Sequence, residues 1–140
     1  MMIEPFGCAS DTELAIFEAA FGVKLPADYR EFLLQKNGGK AQETLHFVEE
    51  LGEVVAVDVF YGIAVHRSFD LVRINKEYQS DLPAGYLLIG QDAGAAWFVL
   101  ATGEGAGAVY FYDHQHYFPQ SSAERNAYKL ADSFSEFLNG

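Results

Sequence analysis

The hydrophobic period of this chain changes at Asn37-Gly38-Gly39, and that switch restricts it to folds that join helices to a sheet. Ahead of the switch the spacing is helical. Ser10-Asp11-Thr12-Glu13 has the form of a capping box, in which the hydroxyl accepts from a free N–H and the glutamate reaches back to the cap. Leu14, Phe17 and Phe21 follow at i, i+3 and i+7, and Gly22 can take the left-handed conformation that closes a helix, so residues 11–21 are predicted helical. Pro26 opens a second helix, because the N–H it lacks would be unpaired in a first turn anyway. Tyr29, Phe32 and Leu33 supply its buried stripe, and Asn37-Gly38-Gly39 ends it. Three residues separate the two helices, which predicts a helical hairpin.

Behind the switch the pattern is that of strands. Leu45-His46-Phe47-Val48 reads as a short strand, and residues 53–61 are rich in β-branched and aromatic side chains. Ser68 is the expected cap of a third helix, with Leu71, Ile74 and Tyr78 in register, ending before Pro83. Strands are predicted at 86–89, 97–100 and 108–112, the last two joined by a glycine-rich hairpin loop at 101–107. A polar stretch, 113–125, leads to a final helix capped by Asp132 or Ser133, with Phe134, Phe137 and Leu138 inward. There is no repeat, low-complexity tract or linker. The expectation is one α+β domain over residues 1–140: an N-terminal helical hairpin, a largely antiparallel sheet with an inserted helix, and a C-terminal helix.

Charge narrows the function classes. Nine basic against 20 acidic residues give a net charge of -11, a field that repels a phosphate backbone and attracts basic proteins. No Lys or Arg occurs in residues 41–66 or 77–124, so the strand-rich part is the acidic part. For any single carboxylate, a solvated surface is the plainer explanation. Half of the residues are hydrophobic, enough for a core without disulfides or a structural metal. The lone cysteine, Cys8, fits a reducing compartment, no signal-peptide pattern opens the chain, and its longest apolar runs are far shorter than a membrane span. A soluble, cytoplasmic protein that does not engage membrane or nucleic acid is expected.

The order of these signals resembles the SUKH superfamily, which unites yeast cell-wall-assembly regulators with many bacterial proteins. The most specific match is Phe21-Gly22-Val23-Lys24-Leu25-Pro26-Ala27-Asp28-Tyr29-Arg30-Glu31-Phe32-Leu33 followed by Asn37-Gly38-Gly39. Leu88-Ile89-Gly90-Gln91-Asp92-Ala93-Gly94 is similar to the family's apolar pair and Gly/Asp turn. Val109-Tyr110-Phe111-Tyr112-Asp113-His114 is similar to its late strand, and Ala131-Asp132-Ser133-Phe134-Ser135-Glu136-Phe137-Leu138 to its closing helix. The matches span a core of about residues 10–138. The chain departs from the pattern at Ala95-Ala96-Trp97, where members often carry another acidic residue, so any turn or contact role of that residue is lost or moved here. The resemblance implies an α+β fold and a non-enzymatic role. Bacterial members look like immunity proteins that neutralise polymorphic toxins, many of them nucleases or deaminases, and eukaryotic relatives act as regulatory interaction modules. A basic toxin domain is then the expected partner, met by charge complementarity. Charge placement nominates Glu49, Glu50, Glu53, Asp58 and Asp92 as contact residues.

Catalytic chemistry finds little purchase, and no cofactor is expected. His114 and His116, beside Asp113, are the best metal-ligand candidates, since i, i+2 positions on a strand share a side. A catalytic zinc needs a third ligand, and nothing ties His46, His66 or Cys8 to them, so a polar loop at the sheet edge is the plainer reading. A small enzyme built on the Asp92 turn and the 113–116 loop stands as the rival to a binding protein. Gly103-Glu104-Gly105-Ala106-Gly107 leads into a strand, whereas phosphate cradles lead into a helix. Neither Cys8 nor Ser121-Ser122 has the surroundings of a nucleophile. Tyr61, Tyr117 and Phe118 fall near predicted loops, where an exposed interface anchor is one reading and core packing or a loop staple the plainer one.

Overall fold

The computed structural model describes residues 1–48, 52–82, 85–94, 96–102, 107–112 and 127–139. Its elements run β1 (Ile3–Pro5), α1 (Asp11–Phe21), α2 (Ala27–Gln35), β2 (Gly39–Val48), β3 (Glu53–Phe60), α3 (Leu71–Tyr78), β4 (Tyr86–Asp92), β5 (Trp97–Ala101), β6 (Val109–Tyr112), β7 (Ala127–Ala131) and α4 (Phe134–Asn139). Among the described residues, seven strands form one sheet in chain order, and every neighbouring pair is antiparallel. The fold is α+β with α3 inserted between β3 and β4, as the change of period predicts.

The capping box forms: Ser10 Oγ accepts from the Glu13 N–H at 3.1 Å, and Glu13 Oε1 accepts from the Ser10 N–H at 3.0 Å. Gly22 closes α1 at φ 64°. Pro26 stands just outside α2, as its cap. The two helices are tied by Arg30 to Asp11 at 2.7 Å and by the Leu25 N–H donating to Glu18 Oε2 at 2.8 Å. Asp28 reaches further, accepting from the Tyr29 N–H at 2.8 Å and from the Ser135 N–H at 2.9 Å, so one carboxylate serves the first turns of both α2 and α4.

Asn37-Gly38-Gly39 proves to be a joint as well as a helix end. Asn37 is buried at φ 50°; its side chain donates to the Ile63 carbonyl and accepts from the Ile63 N–H, both at 2.8 Å. Gly38 follows at φ 80°, where a Cβ would lie 2.5 Å from the carbonyl oxygens of Phe60 and Tyr61. Only glycine permits both that φ and that approach. The end of α2 is thereby locked to the chain leaving β3.

Helices cover the sheet from two sides. On one side Phe32 of α2 and Phe134 and Phe137 of α4 meet Phe60 and Phe98, with ring centroids 5.4–6.0 Å apart. On the other, Asn75 of α3 is held by β4: its amide donates to the Leu88 carbonyl and accepts from the Leu88 N–H, both at 2.9 Å. Tyr78 packs on Trp97 at 5.0 Å. Covered on both sides, all five residues of β5 are buried.

Three features depart from expectation. The edge strands β1 and β7 were not predicted, and β2 begins at Gly39 instead of Leu45. β1 is too short to show a period, and Ala127-Tyr128-Lys129-Leu130-Ala131 mixes residues with little strand preference, so pairing with β6 decides it. Ser68 lies in a 3-10 turn, Arg67–Phe69; the cap of α3 is Asp70, whose Oδ1 accepts from the Val72 and Arg73 N–H groups at 3.0 and 3.1 Å. A carboxylate serves two orphan donors with full charge, which the Ser68 hydroxyl cannot match.

Candidate functional site

The nominated acids fall at distinct places. Glu49 and Glu50 lie outside the described residues. Glu53 and Asp58 are exposed at opposite ends of β3, about 17 Å apart at ~3.4 Å per residue. Asp58 stands where the register with β4 shifts, and accepts from Gln91 Nε2 at 3.3 Å. Asp92 is half-buried, and its Oδ1 accepts from the N–H groups of Gly94 and Ala96 at 3.0 and 2.8 Å. That carboxylate shapes the turn into β5. Val57 pairs with Asp92, so Asp58 and Asp92 sit together at the β3–β4 junction, with Glu53 at the far end of the hairpin.

The histidines do not converge. His46 points to the helix-covered side of β2, its ring 5.2 Å from Phe137, and burial holds its pKa below the ordinary histidine value. His66 accepts from the Ser68 N–H through Nδ1 at 3.1 Å. His114 and His116 lie outside the described residues, as do Asp113, Tyr117, Phe118, Ser121 and Ser122. Among the described residues no three His, Cys, Asp or Glu side chains group to hold a metal. Cys8 is exposed, with Sγ 3.4 Å from the Gln35 carbonyl. Tyr61 belongs to the core, 2% exposed; its hydroxyl donates to Gln91 Oε1 at 2.8 Å, and burial raises its pKa. The glycine-rich segment is followed by β6, which pairs antiparallel with β5, although residues 103–106 themselves are outside the description.

Two clefts of about 590 Å³ each flank α3. One is lined by Phe21, Val23, Lys24, Gln79 and Tyr86, among others, and brings in one ionisable cation and no carboxylate. The other is rimmed by Arg67, Arg73 and Lys76 over Ile63, Val65 and Val72, and its Asp70 is already committed to capping α3. Neither assembles a nucleophile with a base.

One side of the β2–β3 hairpin exposes large apolar side chains, and the other is buried. Val48, Val55 and Val57 are buried. Leu45, Phe47 and Val54 are 67%, 57% and 57% exposed. Their exposure was not anticipated. A signal existed in residues 54–57, an uninterrupted apolar run, which marks a strand with apolar residues on both sides. Among the described residues no helix is long and apolar enough to cross a membrane.

The family model described as the SMI1 / KNR4 family (SUKH-1) matches residues 8–140 of the chain. A protein of Bacillus subtilis (strain 168) that carries the name uncharacterized protein YnaB is 33% identical over 82 residues, 59% of this chain and 43% of that protein. This chain therefore aligns with less than half the length of that relative.

Proposed function

The chain belongs to the SMI1/KNR4 family (SUKH-1), a family that includes toxin-immunity proteins, and from that premise we propose that it is a non-enzymatic binding domain that neutralises a bacterial toxin by direct contact. The family match across residues 8–140 carries this reading. We take the chain as one domain, acting in the cytoplasm, with a nuclease- or deaminase-type toxin as its partner. Charge supports a basic partner: Glu53 and Asp58 are exposed on β3, inside the segment 41–66 that has no Lys or Arg. A toxin that handles nucleic acid needs a positive groove for phosphates, and an acidic protein competes for it while associating rapidly. Glu49, Glu50 and Asp92 are proposed to contribute to the same field.

The test is co-expression with a toxin domain encoded beside this gene. Protection of the host and co-purification of the two chains are expected. A toxin that stays fully active with this chain in excess would sink the reading. Binding without protection would point instead to a regulatory or scaffolding module.

A further inference from the structure

The bare side of the β2–β3 hairpin is continuous. Leu45 lies directly opposite Ala56 and Phe47 directly opposite Val54, so their side chains share one face, with Cβ atoms about 4.5–5.5 Å apart. Scattered surface hydrophobics need no explanation, but a contiguous strip across two strands does. Five large hydrophobic side chains are exposed among the described residues, and three of them are here.

We propose that this strip is the anchor of the partner interface, and that its occupant is a basic protein surface presenting a small apolar patch beside lysines or arginines. The proposal rests on the protein-binding reading above and names the part of the surface that holds the complex together. One exposed acid adjoins the strip on its own side: Asp58 follows Ala56 two residues on, while Glu53, registered opposite Val48, is exposed at the hairpin end and belongs to the other side. Charge complementarity selects the occupant. A second copy of this chain would set Asp58 against its own counterpart, on molecules of net charge -11 each. An anionic membrane would be repelled in the same way. A basic surface gains from Asp58 and the net negative field on approach and from the strip once seated. Charges govern encounter, and desolvated apolar anchors govern how long the complex lasts.

The test uses the full chain and the toxin domain encoded beside its gene, with affinity and dissociation rate measured by surface plasmon resonance. Phe47→Ala is expected to weaken binding about tenfold through faster dissociation, and a triple Leu45→Ala, Phe47→Ala, Val54→Ala variant by about a hundredfold or more. Ile16→Ala, at an equally exposed apolar residue on α1, should stay within about twofold. Because the three side chains are exposed, the melting temperatures of the variants should match the parent, which separates lost contact from lost fold. Tight binding by the parent and the triple variant alike would overturn this proposal and leave the protein-binding reading standing. Failure of the parent to bind would overturn both. A dimer of the parent chain alone that Phe47→Ala converts to monomer would replace the basic partner with a second copy and refute the proposal.

Discussion

Tyr29 has no exposed surface, and its hydroxyl is a buried polar atom without a hydrogen-bond partner among the described residues. Its ring meets Phe134 edge-on at 4.9 Å and lies 6.2 Å from Phe32. Burial drives the phenol pKa far above its ordinary value, so the group stays neutral at any physiological pH. The ring and the hydroxyl therefore act in opposite senses: the ring fills the junction of α2 and α4, while the oxygen has given up water for nothing, at about 1–3 kcal/mol. Tyr29→Phe is expected to leave stability unchanged or raise it by up to about 2 kcal/mol, whereas Tyr29→Ala should lose about 3–5 kcal/mol by opening a cavity. Urea denaturation of the two variants checks this. A loss of more than about 1 kcal/mol in the Phe variant would mean that the hydroxyl is satisfied after all.

At the scale of elements, the side-chain hydrogen bonding that ties α3 to β4 among the described residues comes from Asn75. Asn75 is 1% exposed and bonds both backbone groups of Leu88 while also donating to the Leu71 carbonyl at 2.9 Å. Asn75→Ala would strand the Leu88 N–H and C=O in the core, at an expected cost of about 2–4 kcal/mol, and amide exchange in β4 should accelerate first. Asn75→Leu should not rescue it, because the orphaned groups are on the backbone. Asn75 shows what a one-dimensional reading misses. Its place in the helical pattern was visible, since Leu71, Ile74 and Tyr78 set the register, but a polar residue on the buried stripe reveals its purpose only when its partner strand is known. Asp70 and Asp92 carry the same lesson: acidity was visible, yet Asp70 is spent on a helix start and Asp92 on a turn. The capping box at Ser10 and the stop at Gly22 were legible because both act within a few residues of themselves. β1 and β7 were not, because sheet pairing across the molecule creates them. The bare strip needed both the register of β2 on β3 and knowledge of which side the helices cover.

For the whole molecule, charge and packing pull apart. The ion pairs of the described residues, Arg30 with Asp11 and Glu18, Arg73 with Glu77, and Lys129 with Asp132, all involve partly exposed side chains. Such pairs contribute about 0–1 kcal/mol each, and the chain carries 20 carboxylates against nine cations. The remaining negative charges repel one another in the folded chain more than in the expanded one. Screening that repulsion should stabilise the fold: between roughly 10 and 200 mM NaCl, as the Debye length falls from about 30 to under 10 Å, the melting temperature is expected to rise by about 2–5 °C. On the proposed reading the complex should answer in the other direction, because the field that strains the isolated chain would be the one that draws in a basic partner. Its association rate should fall with salt, while the dissociation rate, set by the apolar strip, barely moves. Calorimetry of the chain and stopped-flow mixing with the toxin domain over one salt series test both signs together. A melting temperature that falls with salt would mean that the ion pairs outweigh the repulsion, and an association rate indifferent to salt would mean that the acids do not steer the partner.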